Sequence, residues 1–111
     1  YLKKPNTKKN TSSGSFGDKI KYTVSEMQGW RARMEDTWIA EENIAPEIVP
    51  DCHVFGVFDG HSGDQVSKFA KTHFTNALVQ LESFKKQKFK KALEEAFLRI
   101  DELMLDPEFE K

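Results

Sequence analysis

The stretch His53-Val54-Phe55-Gly56-Val57-Phe58-Asp59-Gly60-His61-Ser62-Gly63 decides how this chain is read. His53 to Phe58 is nearly continuous in bulky apolar residues and stops at Asp59-Gly60. That is the pattern of a strand buried on both faces and ended by a turn. Moving toward the C-terminus, Val66, Phe69, Ala70, Phe74, Ala77, Leu78 and Leu81 recur at three- and four-residue spacing. A helix with one apolar face therefore follows the turn. Ser62 and Gln65 predict a capping box at its start. Phe89, Leu93, Ala96, Phe97, Ile100, Leu103 and Met104 repeat the helical pattern, and Pro107 ends it nearby. The short link around Ser83 to Gln87 predicts an antiparallel helix pair.

Toward the N-terminus, a loop with Pro46 and Pro50 separates the buried strand from a second short strand over Thr37 to Ala40. Tyr22 to Met27 alternates in polarity, with Tyr22 and Val24 on one face of a half-buried strand. Residues 1–18 hold Lys, Asn, Thr, Ser and Gly with almost nothing apolar, which predicts a flexible basic arm before a domain over 19–111. Three strands and a helical hairpin make the class α+β. One layer of helices leaves a sheet face and an edge open. The expectation is therefore the N-terminal part of a larger sandwich, unstable alone, whose open sheet is covered by further chain or by a partner protein.

With 111 residues the chain holds one small domain. Its net charge of -1 gives no reason to expect nucleic acid as a partner. Charge is unevenly spread, however. Six lysines face only Asp18 before Tyr22, whereas eight carboxylates face only Arg31 and Arg33 between Thr23 and Gly63. Concentrated carboxylates call for solvent or a cation. Cys52 is the single cysteine, so no intrachain disulfide forms and a cytoplasmic or nuclear setting is the default. No apolar run approaches the ~20 residues of a transmembrane span. The chain begins at Tyr1 rather than at methionine, so a preceding piece is expected, with room for a myristoylation motif that would make the protein peripheral to a membrane.

Two clusters carry chemistry: Gly29-Trp30-Arg31-Ala32-Arg33-Met34-Glu35-Asp36 and Phe58-Asp59-Gly60-His61-Ser62-Gly63. A carboxylate at the end of a buried strand, Asp59, requires a partner. Gly60 permits close approach and leaves its carbonyl free as an oxygen ligand. Carboxylate, carbonyl and water are the donors that Mg²⁺ and Mn²⁺ prefer. If the neighbouring strand brings Asp36 alongside Asp59, the two flank a metal position, and a second ion ~3.5–4 Å away would share a bridging hydroxide as nucleophile. His61 suits protonation of a departing alkoxide, and Arg31 suits a two-point grip on phosphate. Trp30 and Met34 are read as packing residues, Arg33 as a solvated side chain, and His53 and His73 as ordinary strand and helix residues.

Met27-Gln28-Gly29-Trp30-Arg31-x-x-Met34-Glu35-Asp36 and Val57-Phe58-Asp59-Gly60-His61-x-Gly63 resemble the two N-terminal signatures of the metal-dependent serine/threonine protein phosphatases of type 2C, in the same order and at a similar separation. The resemblance runs from about Tyr22 to Leu105. It implies a four-layer αββα sandwich of antiparallel sheets flanked by helices. It also implies hydrolysis of phosphoserine and phosphothreonine in phosphorylated protein substrates by two Mg²⁺ or Mn²⁺ ions. Carried over by position, Asp36 and Asp59 are metal ligands with Asp59 bridging, and Gly60 gives its carbonyl. Glu35 acts through a metal-bound water, Arg31 holds the phosphate, and His61 is the general acid. Ser62 stands where Gly or Ala is usual, and Thr37-Trp38 where Ala-His is common. The family's later Asp-Gly and Asp-Asn metal motifs have no counterpart after Gly63. Asp101 and Asp106 lack that context, so the 111-residue chain alone is expected to be inactive.

Three other readings compete. A cysteine phosphatase needs Arg six positions after its cysteine, and Phe58 stands there relative to Cys52. The nucleophile elbow of an α/β-hydrolase needs Gly two residues after its serine, and Asp64 follows Ser62 at that position. The third is a non-catalytic, phosphatase-like interaction module docking through the lysine-rich arm or the open sheet edge.

Overall fold

The computed structural model describes residues 1–109, so the far limit of the expected domain lies outside the described residues. The chain divides into two compact units, one over Tyr1–Glu35 and one from Asp36 onward.

The first unit is a hairpin of β1 (Asn6–Phe16) and β2 (Ile20–Gly29), paired antiparallel with Phe16 opposite Ile20 and Asn10 opposite Glu26. The flexible arm expected over residues 1–18 is corrected here, because most of it is strand. Composition misleads in this case because β1 needs no apolar face. Its backbone bonds to β2, and its hydroxyls pair across the strands, Thr11 with Ser25 and Ser13 with Thr23, each at 3.1 Å. Gly17, at φ 62, makes the turn that a side chain would resist. Gly14 lies under the Tyr22 ring, where an added Cβ would sit 2.5 Å from the Tyr22 hydroxyl. β2 alternates in exposure as its sequence predicts, with Tyr22 and Val24 on the half-buried face.

The second unit is α+β, as expected. β3 (Thr37–Glu41) and β4 (Val54–Phe58) pair antiparallel, from Thr37 opposite Phe58 to Glu41 opposite Val54. Three helices follow: α1 (Gln65–Gln80), the single turn α2 (Glu82–Lys85) and α3 (Phe89–Met104). The core joins Ile39, Ala45, Phe74, Ala77, Leu78, Phe84, Ala92, Ala96 and Ile100. Ala92 and Ala96 are fully buried, so α3 offers small residues where the helices meet and the axes can approach closely. Phe74 links the layers, with its ring 5.5 Å from Phe58 on the sheet and 4.9 Å from Phe97 on α3. The Thr37 hydroxyl donates to the Ser67 carbonyl at 2.8 Å, tying the start of β3 to the start of α1. Beside it, the Lys71 ammonium lies 5.4 Å from the centre of the Trp38 ring.

Two local expectations change. β4 is covered on one face only, since Phe55 is 47% and Val57 73% exposed while their neighbours in the strand turn toward the helices. Ser62 does not cap α1. It adopts φ 62, Gly63 adopts φ 114, and Asp64 takes the N-cap position without a side-chain cap bond. The Asp64 carboxylate instead meets Lys68 Nζ at 2.7 Å, one turn into the helix.

Candidate active site

The rung between Thr37 and Phe58 places the two proposed metal carboxylates. Asp36 immediately precedes one partner and Asp59 immediately follows the other, so both leave the β3–β4 ladder at the same end. Facing Cα atoms in an antiparallel pair lie about 4.5–5.5 Å apart, which makes these two residues neighbours through the backbone alone. Both side chains are exposed, so Asp59 is not the buried charge that its sequence context suggests. Solvent reaches it because the outer face of β4 is open.

Asp59, Gly60 and His61 line a cleft of ≈ 420 Å³ between the end of β4, the start of α1 and the end of α3. Val66 and Ala70 form one wall, and Phe97, Ile100 and Met104 form the other. Asp101, which lacks a metal-motif context in the sequence, lines the same cleft. Its signal was present nevertheless. Asp101 stands one turn after Phe97, so this exposed acid borders the inward stripe of Ala92, Ala96 and Ile100 on the side that meets the cleft.

Arg31 and Glu35 belong to the hairpin unit, where Arg31 Nη2 lies 3.4 Å from Glu35 Oε1. At that length, with the Arg31 side chain 54% exposed, the pair contributes little to stability. The backbone that presents Arg31 is better defined. Gly29 adopts φ 66, and the Gln28 side-chain amide donates to the Arg31 carbonyl at 2.8 Å, shaping the Gly29-Trp30-Arg31 turn. Burial pushes the Cys52 thiol above its usual range, which keeps it protonated at neutral pH and unsuited to attack. His53 Nδ1 accepts the Asn43 amide at 2.9 Å, and the His73 ring lies 4.3 Å from Phe69 and 5.1 Å from Phe109. Both histidines have structural occupations.

Among the described residues, no group of three or more His, Cys, Asp and Glu side chains is arranged to hold a metal ion. The donors at the hairpin end are two carboxylates, Asp36 and Asp59, beside the backbone of Gly60. Magnesium is commonly bound through one or two carboxylates, with water and substrate phosphate completing its shell. The residues therefore suit a hard divalent cation in kind, with the remaining ligands supplied from elsewhere.

The protein phosphatase 2C family profile matches residues 20–110. This chain belongs to the protein phosphatase 2C family. Both motif clusters, the β3–β4 hairpin and the helical pair fall within the match. The chain is 47% identical over 111 residues to protein phosphatase 2C 1 of Paramecium tetraurelia, covering all of this chain and 35% of that protein. It is 40% identical over 117 residues to protein phosphatase 2C homolog 2 of Hypocrea jecorina, covering 99% of this chain and 26% of the relative. To protein phosphatase 1G of Bos taurus it is 37% identical over 103 residues, covering 91% and 18%. The chain thus spans about a third of the length of the protein phosphatase 2C relatives from Paramecium. Among the described residues no helix is long and apolar enough to cross a membrane.

Proposed function

We propose that the full-length protein removes phosphate from phosphoserine and phosphothreonine in proteins, with Asp36, Asp59 and the Gly60 carbonyl holding divalent cations. The observation that carries this reading is the Thr37–Phe58 rung, which sends both aspartates out of one end of one hairpin. Two Mg²⁺ or Mn²⁺ ions, when bound, supply charge neutralisation and a nucleophile at neutral pH. The chain's own residues do the rest. Glu35 would act on that centre through water, and Arg31, whose planar fork suits two phosphate oxygens, would orient the phosphate, as the family resemblance implies. His61, at the cleft and exposed, delivers a proton to the departing serine or threonine oxygen. The apolar walls of the cleft favour a polypeptide segment over a bare phosphate ion.

Asp59→Asn in the full-length protein tests the assignment. Loss of a ligand to the centre removes several kcal/mol of transition-state stabilisation, so Mn²⁺-dependent hydrolysis of a phosphopeptide should fall by a hundredfold or more, on the order expected from rate theory. A wild-type rate in that variant would rule out the role given to Asp59. His61→Gln should slow poor leaving groups far more than nitrophenolate, and an equal loss for both would remove the general-acid role.

A further inference from the structure

Five lysines, Lys85, Lys86, Lys88, Lys90 and Lys91, fall within seven residues at the link between α2 and α3, and all are exposed. None of the five takes part in an ion pair among the described residues, unlike Arg31, Lys68 and Arg99, which meet Glu35, Asp64 and Glu102. The segment is a built knob. Gln87 adopts φ 58, the amide of Lys88 donates to the Ser83 carbonyl at 2.8 Å, and the amide of Gln87 donates to the Phe84 carbonyl at 2.8 Å. Beneath it, Phe84 is 1% exposed, and its ring holds that of Phe89 at 5.6 Å. The first turn of α3 carries no acid, so the partial positive charge of the helix start adds to the lysines instead of being neutralised.

We propose that this knob docks an acidic segment of the phosphoprotein substrate, away from the cleft that receives the phosphorylated residue. The proposal rests on the phosphatase reading above and specifies its substrate class. Lysines are point charges that suit a line of carboxylates, and the stretch has no arginine to grip a single phosphate group in bidentate fashion. A membrane surface is disfavoured, because the Phe89 ring is packed on Phe84 and is not free to insert into a bilayer. A single aromatic ring also falls short of the repeated stacking faces that single-stranded nucleic acid uses. Geometry adds a distance. Phe89 starts α3 and Asp101 lines the cleft near its end. At about 1.5 Å per residue the two lie about 18 Å apart along the helix. An extended chain covers about 3.3–3.6 Å per residue, so the acidic run must stand at least about five residues from the phosphorylated one.

The test uses the full-length protein with three phosphothreonine peptides that share the sequence around the phosphate. One carries a glutamate run about eight residues away, one carries it about two residues away, and one carries glutamine instead. The distant run should lower KM by about fivefold at low salt with kcat unchanged, and the advantage should fade as salt rises. The triple substitution Lys88→Gln, Lys90→Gln, Lys91→Gln should abolish that advantage and leave the glutamine peptide unaffected. Equal KM values for the distant-run and glutamine peptides, or a preference only for the near run, would overturn the proposal. So would wild-type binding to phosphatidylserine vesicles or to a DNA oligonucleotide that the triple substitution removes, without any peptide preference. Failure of every peptide and of nitrophenyl phosphate with Mn²⁺ would instead count against the phosphatase reading. In that case fluorescence anisotropy of the unphosphorylated acidic peptide decides the docking site, and binding that the triple substitution leaves intact overturns it.

Discussion

In β1, eleven residues long, only Phe16 is buried, whereas nine buried residues from Ile39 to Ile100 form one continuous core in the unit beginning at Asp36. The first unit is held by backbone pairing and cross-strand hydroxyls, each contributing roughly 0.2–1 kcal/mol. The second is held by packed aromatic and aliphatic side chains, where deleting one large group costs several kcal/mol. The difference bears on the candidate site. Asp36, Asp59, Gly60 and His61 are carried by the well-packed unit, while Arg31 and Glu35 are carried by the polar hairpin. The proposed cation ligands are thus carried by a packed core, and the proposed phosphate grip by a turn.

The comparison breaks most visibly at Phe84. Phe84→Ala should cost about 3–5 kcal/mol, read as faster hydrogen exchange throughout α1 and α3 with β1–β2 amides little changed. Equal acceleration in both units would mean that they unfold as one. Tyr22→Ala removes the ring lying 5.2 Å from Phe16 and should cost about 1 kcal/mol, confined to hairpin amides. The smallest effect concerns Cys52. At low pH the thiol is protonated in both folded and unfolded chain and adds no pH dependence. As pH rises past its ordinary value of 9.0 the unfolded chain releases its proton first, so folded stability declines until the folded thiol ionises too. Urea titrations should show this alkaline decline in wild type and a shallower one in Cys52→Ser. Identical profiles would sever the link to Cys52.

Where side chains repeat with a clear period, the fold was legible before any coordinates. The stripes from Val66 to Leu81 and from Phe89 to Met104 became α1 and α3, and the alternation at Tyr22 and Val24 became β2. β1 was not legible, because a strand of Thr, Ser, Asn and Lys signals itself through its partner's register and carries no apolar pattern of its own. Ser62 misled for a related reason. A cap requires extended backbone, and no residue type at 62 or 65 reveals that the turn there is left-handed. The meeting of Asp36 and Asp59 was conditional on strand pairing, and the Thr37–Phe58 rung meets that condition at the backbone level. The place of Asp101 in the cleft could have been read from its helical phase, once its stripe was seen to face a motif and not only a core.

The cation over the Trp38 ring has a spectroscopic consequence. The chain has two tryptophans, Trp30 in the hairpin at 54% exposure and Trp38 in the packed unit beneath Lys71. Each unit therefore contains its own fluorophore in a distinct surrounding, one facing solvent and one beside a fixed ammonium. Replacing Trp30 by Phe leaves emission from β3 alone, so departure of the strand from α1 during denaturation becomes a wavelength shift that no label is needed to see.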